Sequence, residues 1–201
     1  MKKKITLLAL MLSGMAFSQE SNFSQYSLEA DYGFNYARNP ELTGFTHFGV
    51  GFRYMIDEYW GIKFDYGHDA FDSEGIPGTD ATSHRFSAQG VYNIGRLLNF
   101  REFTGGTVNM LLHAGFGGTL IDSDVASGTD KAGNVIGGGT LQLYISDHFA
   151  IAGDVSAVLN FSQQTKFDGL PAGDTFTGKM LTATIGVTYY FGRNRSTADW
   201  R

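Results

Sequence analysis

From about residue 25 onward the chain alternates between apolar and polar side chains, residue by residue, in eight separate stretches. One phase of the alternation is apolar and uncharged. The other holds Gly, Thr and Asn together with Glu29, Asp31, Arg53, Lys63, Asp65, Arg85 and Asp154. Successive side chains of a strand point to opposite faces, so this rhythm predicts strands with one apolar and one polar side. It is incompatible with helices, whose apolar residues recur every three or four positions.

The first stretch sets Leu28, Ala30, Tyr32, Phe34 and Tyr36 against Ser27, Glu29, Asp31, Gly33 and Asn35. Phe48, Val50, Phe52 and Tyr54 follow, alternating with His47, Gly49, Gly51 and Arg53. The third sets Trp60, Ile62, Phe64 and Tyr66 against Gly61, Lys63 and Asp65. In the fourth, Phe86, Ala88, Gly90 and Tyr92 oppose Arg85, Ser87, Gln89, Val91 and Asn93. Leu111 blurs the fifth, and the sixth is weakest, with Gly137 and Gly139 beside Val135, Leu141 and Leu143. The seventh opposes Ile151, Val155 and Leu159 to Asp154, Ser156 and Asn160, and the eighth opposes Leu181, Ile185 and Val187 to Thr182, Thr184 and Gly186. No charge falls on the apolar phase. An Arg or Lys on the lipid face at mid-bilayer costs about 2–4 kcal/mol, so lipid contact accounts for that purity.

Two observations place the apolar phase outside. A small barrel has little interior room, which suits the many glycines of the polar phase, whereas a solvated exterior is rich in Lys and Glu. The apolar phase also carries Tyr, Trp and Phe near strand ends, as interfacial girdles do. Charged residues make up only 17% of the chain against 14% aromatic, and a formal charge of −5 argues against a nucleic-acid partner. With no Cys there is no disulfide, thiolate metal site or lipoprotein anchor. At the N-terminus, Lys2, Lys3 and Lys4 precede an apolar run from Ile5 to Phe17 and the small-residue pattern Ala16-Phe17-Ser18. That run is too short to span a bilayer and predicts a cleaved signal peptide over 1–18. The expected organisation is then a barrel over 19–192 and a short polar periplasmic tail over 193–201. Polar segments at 69–83, 121–133 and 160–178 read as long extracellular loops, and short turns lie near Asp57-Glu58 and Ser146-Asp147-His148. The link 95–106 is too long for a periplasmic turn, and its Leu97, Leu98, Phe100 and Phe103 predict a helical turn at the membrane surface.

These residues resemble the N-terminal transmembrane domain of the OmpA-like outer-membrane proteins, an eight-stranded antiparallel up-and-down transmembrane β-barrel. The resemblance spans the expected mature chain and rests on Gly51-Phe52-Arg53-Tyr54, Tyr59-Trp60-Gly61 and Phe64-Asp65-Tyr66-Gly67. Thr184, Gly186, Tyr189 and Phe191 look like the β-signal read by the barrel-assembly machinery. The resemblance implies residence in the cell outer membrane among phospholipid and lipopolysaccharide. It also implies assembly by that machinery with periplasmic chaperones. The family's periplasmic peptidoglycan-binding domain has no counterpart before Arg201, so wall anchoring is not carried over.

An eight-stranded barrel is nearly filled by its own side chains. Glu29, Asp31, Asp65 and Asp154 against Arg53, Lys63 and Arg85 are therefore expected to form an ion-paired, largely closed lumen in a monomeric structural and surface protein. The resemblance makes a small gated channel the alternative, with Arg53 or Arg85 exchanging carboxylates. A lipid-modifying enzyme is a third reading, but no nucleophile–base pair is evident: His84 and Ser87 fall on opposite faces, and His113 has no Ser or acid near it in sequence. His47, His68 and His148 are scattered, and no cofactor or metal site is expected. The stretch Asp122 to Asp130 resembles a calcium loop, but it lacks both the Gly at its sixth position and the closing Glu. Phe71, Ile76 and Phe167 are expected to be loop residues available to a partner.

Overall fold

The computed structural model describes residues 25–71, 79–126, 128–192 and 200. The expected signal peptide and Ile76 lie outside them. The elements are β1 (Gln25–Arg38), β2 (Leu42–Met55), β3 (Trp60–Phe71), β4 (Ala81–Asn93), α1 (Ile94–Leu97), α2 (Phe100–Thr104), β5 (Val108–Ser123), β6 (Asp130–Tyr144), β7 (Phe149–Thr165) and β8 (Pro171–Gly192). Each strand pairs antiparallel with its sequence neighbour, and β1 pairs with β8, closing an eight-stranded barrel. Closure satisfies every strand's backbone within the ring and leaves no edge, the condition for crossing lipid with strands.

All eight alternations resolve as the sequence predicts. The apolar phase is on the outer surface, where Phe64 is 57%, Ile185 65% and Phe116 72% exposed. The polar phase points inward. From Tyr26 to Tyr36 the outward side chains of β1 cover about 34 Å of strand, or about 26 Å of height at a tilt of about 40°. That matches the ~25 Å apolar band of such barrels. At its lower edge Tyr26 packs on Phe52, Tyr54 and Phe191, and Phe149 packs on Tyr189.

The glycines of the polar phase let strands and lumen side chains approach. A Cβ on Gly186 would lie 2.6 Å from the Asp31 Cβ, and one on Gly117 would lie 2.8 Å from the Ser87 Cα. Gly90 and Gly137 face outward and have no such crowding; their nearest neighbours lie at 3.9 and 3.7 Å.

Two connections differ from expectation, and a third follows it. The segments 121–133 and 160–178 are mostly strand: β5 runs to Ser123 and β6 resumes at Asp130, while β7 runs to Thr165 and β8 resumes at Pro171. Cross-strand bonding continues above the apolar band because the backbone still needs partners there. Asp130 ties the β6 rim to β7 by accepting from the Gln164 and Thr165 amides at 2.7 and 2.8 Å. The link 95–106 holds two short helices. Asn93 caps α1 by accepting from the Arg96 amide at 3.0 Å, and Gly105 ends α2 in the left-handed region. Leu97, Leu98 and Phe103 are exposed, Phe103 by 82%.

Candidate functional site

The lumen is layered. At the end that carries the β1–β2 and β7–β8 connections, inward Ala37, Phe71, Ile136, Val158 and Met180 pack with Phe167. Phe71 and Phe167 meet at 5.1 Å between ring centroids and are 2% and 0% exposed. They are therefore not partner-facing loop residues: Phe71 has the inward parity of Lys63 and Asp65, and the β7–β8 connection folds Phe167 in over the lumen. At the opposite end, Met55, Val91, Leu111, Ala150 and Tyr190 surround Trp200. The ionisable side chains lie between these apolar clusters, around a central cavity of about 40 Å³, enough for only a few waters.

The seven charged residues singled out in the sequence all face this interior. Glu29 accepts from Arg53 and also meets the Lys63 Nζ at 3.1 Å. Lys63 in turn reaches Asp65 at 3.0 Å, so one ammonium bridges two carboxylates. These groups meet because Arg53 and Lys63 are cross-strand partners, and Gly51 lies opposite both Glu29 and Asp65. A Cβ at Gly51 would lie 2.9 Å from the Lys63 Cε.

Higher in the lumen, Arg85 bonds Asp69 at 3.3 Å rather than any of the singled-out carboxylates. His47 bridges Asp69, through Nδ1 at 2.7 Å, to Asp31, through Nε2 at 3.5 Å. Asn35 adds a hydrogen bond to Asp69 at 3.2 Å. Across the barrel Asp154 meets no Arg or Lys among the described residues. It binds the His113 Nε2 at 2.9 Å, the Thr140 hydroxyl at 2.7 Å and the Ser156 hydroxyl at 2.5 Å. Gln89 holds the other imidazole nitrogen of His113 at 2.7 Å. Arg53 Nε and Nη1 and Arg85 Nε make no hydrogen bond to protein.

Asp69, His47 and His113 thus belong to the site although sequence reasoning gave none of them an ionic partner. Parity would have found the first: Asp69 continues the inward series Lys63, Asp65, Gly67, but it falls in a segment read as loop. His113 does have an acid and a hydroxyl beside it, brought from β7 by closure of the ring. Its Nε2 serves both, at 2.9 Å to Asp154 and 3.5 Å to Ser156, unlike a triad in which opposite ring nitrogens hold base and nucleophile. His68 and His84 are not scattered either: they are cross-strand partners whose rings lie 4.9 Å apart, with Tyr66 bonded to His84 at 2.8 Å.

Trp200 occupies a fitted seat. Its carbonyl accepts from the Asn93 and Asn109 carboxamides, its indole donates to the Asp57 carbonyl at 2.9 Å, and the Arg53 guanidinium lies 5.8 Å from the ring centroid. A Cβ on Gly61 would lie 2.9 Å from the indole. Of the expected β-signal residues, Thr184 and Gly186 face inward. Tyr189 and Phe191 face outward and stack on each other at 6.0 Å.

No protein-family model and no curated protein sequence matches the chain. Among solved structures it is similar to Neisserial surface protein A, with 13% identity and a TM-score of 0.57 over 84% of this chain and 97% of that one. It is also similar to a major outer membrane protein from Thermus thermophilus, with 14% identity and a TM-score of 0.55 over 84% of this chain and 99% of that one. At such identities the likeness is one of fold: the chain has the closed eight-stranded architecture of outer-membrane β-barrels.

Proposed function

We propose that the chain is a monomeric, non-enzymatic outer-membrane barrel of the OmpA-like kind, with a structural and surface role and a lumen held closed. The observation that carries this reading is the inversion of the molecule. Exposed Phe, Leu, Ile and Val encircle the outside, while Glu29, Arg53, Lys63, Asp65, Asp69 and Arg85 are enclosed. A soluble fold does the reverse. Closure is supported by the two apolar clusters above and below the charged layer and by the small volume of the cavity between them. On this reading Tyr189 and Phe191 serve barrel assembly from the outer face of the closing strand, and lipopolysaccharide and phospholipid cover the apolar band.

A gated channel is the second reading. Lys63 shared between two carboxylates, together with the unused guanidinium nitrogens of Arg53 and Arg85, favours exchange of partners within the lumen. Reconstitution in planar bilayers separates the two. The closed reading predicts no resolved conductance steps from the native chain, and steps in Arg53→Gln/Arg85→Gln. Native steps that vanish in that variant support the gate. Native steps that the variant leaves unchanged contradict both readings.

A further inference from the structure

At the extracellular ends of β1 and β8, Arg38 and Lys179 are direct cross-strand partners, and both are exposed on the outer face. Like charges placed opposite each other on a sheet repel. Among the described residues neither cation is in an ion pair. Glu41 of the β1–β2 turn, the nearby acid, is in no ion pair among the described residues either. Below the two cations the outer face steps down in register: first Tyr36, Leu181 and Ala157, then Phe34, Ala183 and Val155. The small side chains of Ala157 and Ala183 lie between larger neighbours. At the upper of these levels a groove of about 250 Å³ is lined by Tyr36, Arg38, Ala157, Leu159, Lys179 and Leu181, and Ala183 lies directly below it.

We propose that this groove is a site for one phosphorylated lipid of the outer leaflet, the lipid A anchor of lipopolysaccharide. Arg38 and Lys179 clamp a phosphate, and one acyl chain lies along Ala157 and Ala183. The inference rests on the membrane reading above, and three features support it. The cations stand one outward position above Tyr36, where the apolar band ends, so they meet headgroups rather than hydrocarbon. Cations over an apolar channel complement an amphiphile with an anionic head. A guanidinium also offers a phosphate two parallel donors, while an ammonium adds a point charge. An anion between them relieves the cross-strand repulsion that the bare barrel leaves unrelieved.

The test uses the full chain folded in nanodiscs and titrated with fluorescent bisphosphorylated lipid A. Arg38→Gln/Lys179→Gln should weaken retention about thirty-fold, each cation contributing about five-fold. Ala157→Phe, which fills the groove without touching a charge, should also weaken it. Lys131→Gln is the control. Val135 lies opposite Leu159, so outward-facing Lys131 lies about 13 Å farther along β6, away from the groove. It should change retention less than two-fold. Equal retention by native and double-Gln proteins overturns the site, as does an equal loss in Lys131→Gln, which would mean diffuse attraction. Displacement of lipid A by millimolar inorganic phosphate also overturns it, because the acyl chain would then contribute nothing. Failure of the native chain to enter vesicles would instead defeat the membrane reading itself.

Discussion

Replacing Lys63 by Met should be the most damaging single change in the charged layer. Lys63 is 10% exposed and Asp65 11%, and the ammonium is the one cation that reaches Asp65 among the described residues. Glu29 keeps its bond to Arg53 when Lys63 is removed, but Asp65 is left as a charge inside the barrel with no counter-ion. Breaking a buried pair from one side costs about 3–5 kcal/mol, because the remaining charge stays desolvated. Arg53→Met should fall below that range, because Glu29 retains Lys63 at 3.1 Å. Asp65→Asn in the Lys63→Met background removes the stranded charge and should recover more than half of the loss. The assay is equilibrium urea unfolding in phospholipid vesicles, followed by tryptophan fluorescence and by the shift in gel mobility on heating. A double-mutant cycle then gives the coupling directly. A loss under about 1 kcal/mol for Lys63→Met, or no recovery with Asp65→Asn, would refute the claim that this pair is enclosed and interdependent.

Three further outcomes follow from the geometry. With Trp60→Phe, Trp200 becomes the one indole in the chain, and acrylamide should quench it poorly; efficient quenching contradicts its seat between Asn93, Asn109 and Asp57. Gly186→Ala and Gly117→Ala should impair folding, seen as loss of the heat-modifiable band, whereas outward-facing Gly90→Ala and Gly137→Ala should fold normally. Equal behaviour of the two sets would show that close approach is not why the inward glycines are needed. Phe64→Arg and Ile185→Arg should each cost about 2–4 kcal/mol in vesicle unfolding, as expected for a cation on the lipid face near mid-bilayer. A negligible cost would argue that water, not hydrocarbon, covers those positions.

Strand faces were legible because parity is a local property: each residue's side follows from its neighbours once the alternation is recognised. Even Leu111 and Val91, apolar residues on the inward phase, obey parity and sit in the lumen. What they do there, packing around Trp200, was not legible. The ends of a narrow barrel can be filled by apolar side chains, and alternation alone does not say at which level polarity stops. Ion-pair partners were hidden for a different reason. His113 and Asp154 are 41 residues apart, and Arg85 chooses Asp69 over Asp31 through the stagger of the ring, which no single strand encodes. Strand ends were read too short at 121–133 and 160–178, where polar residues suggested loops although backbone pairing continues. Trp200 stands in a polar stretch with no alternation to mark it, so only the folded arrangement reveals its seat.

Site-directed spin labels at Phe34, Phe52, Phe64 and Ile185, compared with one at exposed Asp174 on the rim beside the β7–β8 connection, test most directly which face meets lipid. In vesicles, the four outward labels should be relaxed more strongly by oxygen than by a water-soluble nickel chelate, and the Asp174 label the reverse. Chelate-dominated relaxation at the four sites would contradict a barrel with hydrocarbon outside and ion pairs within.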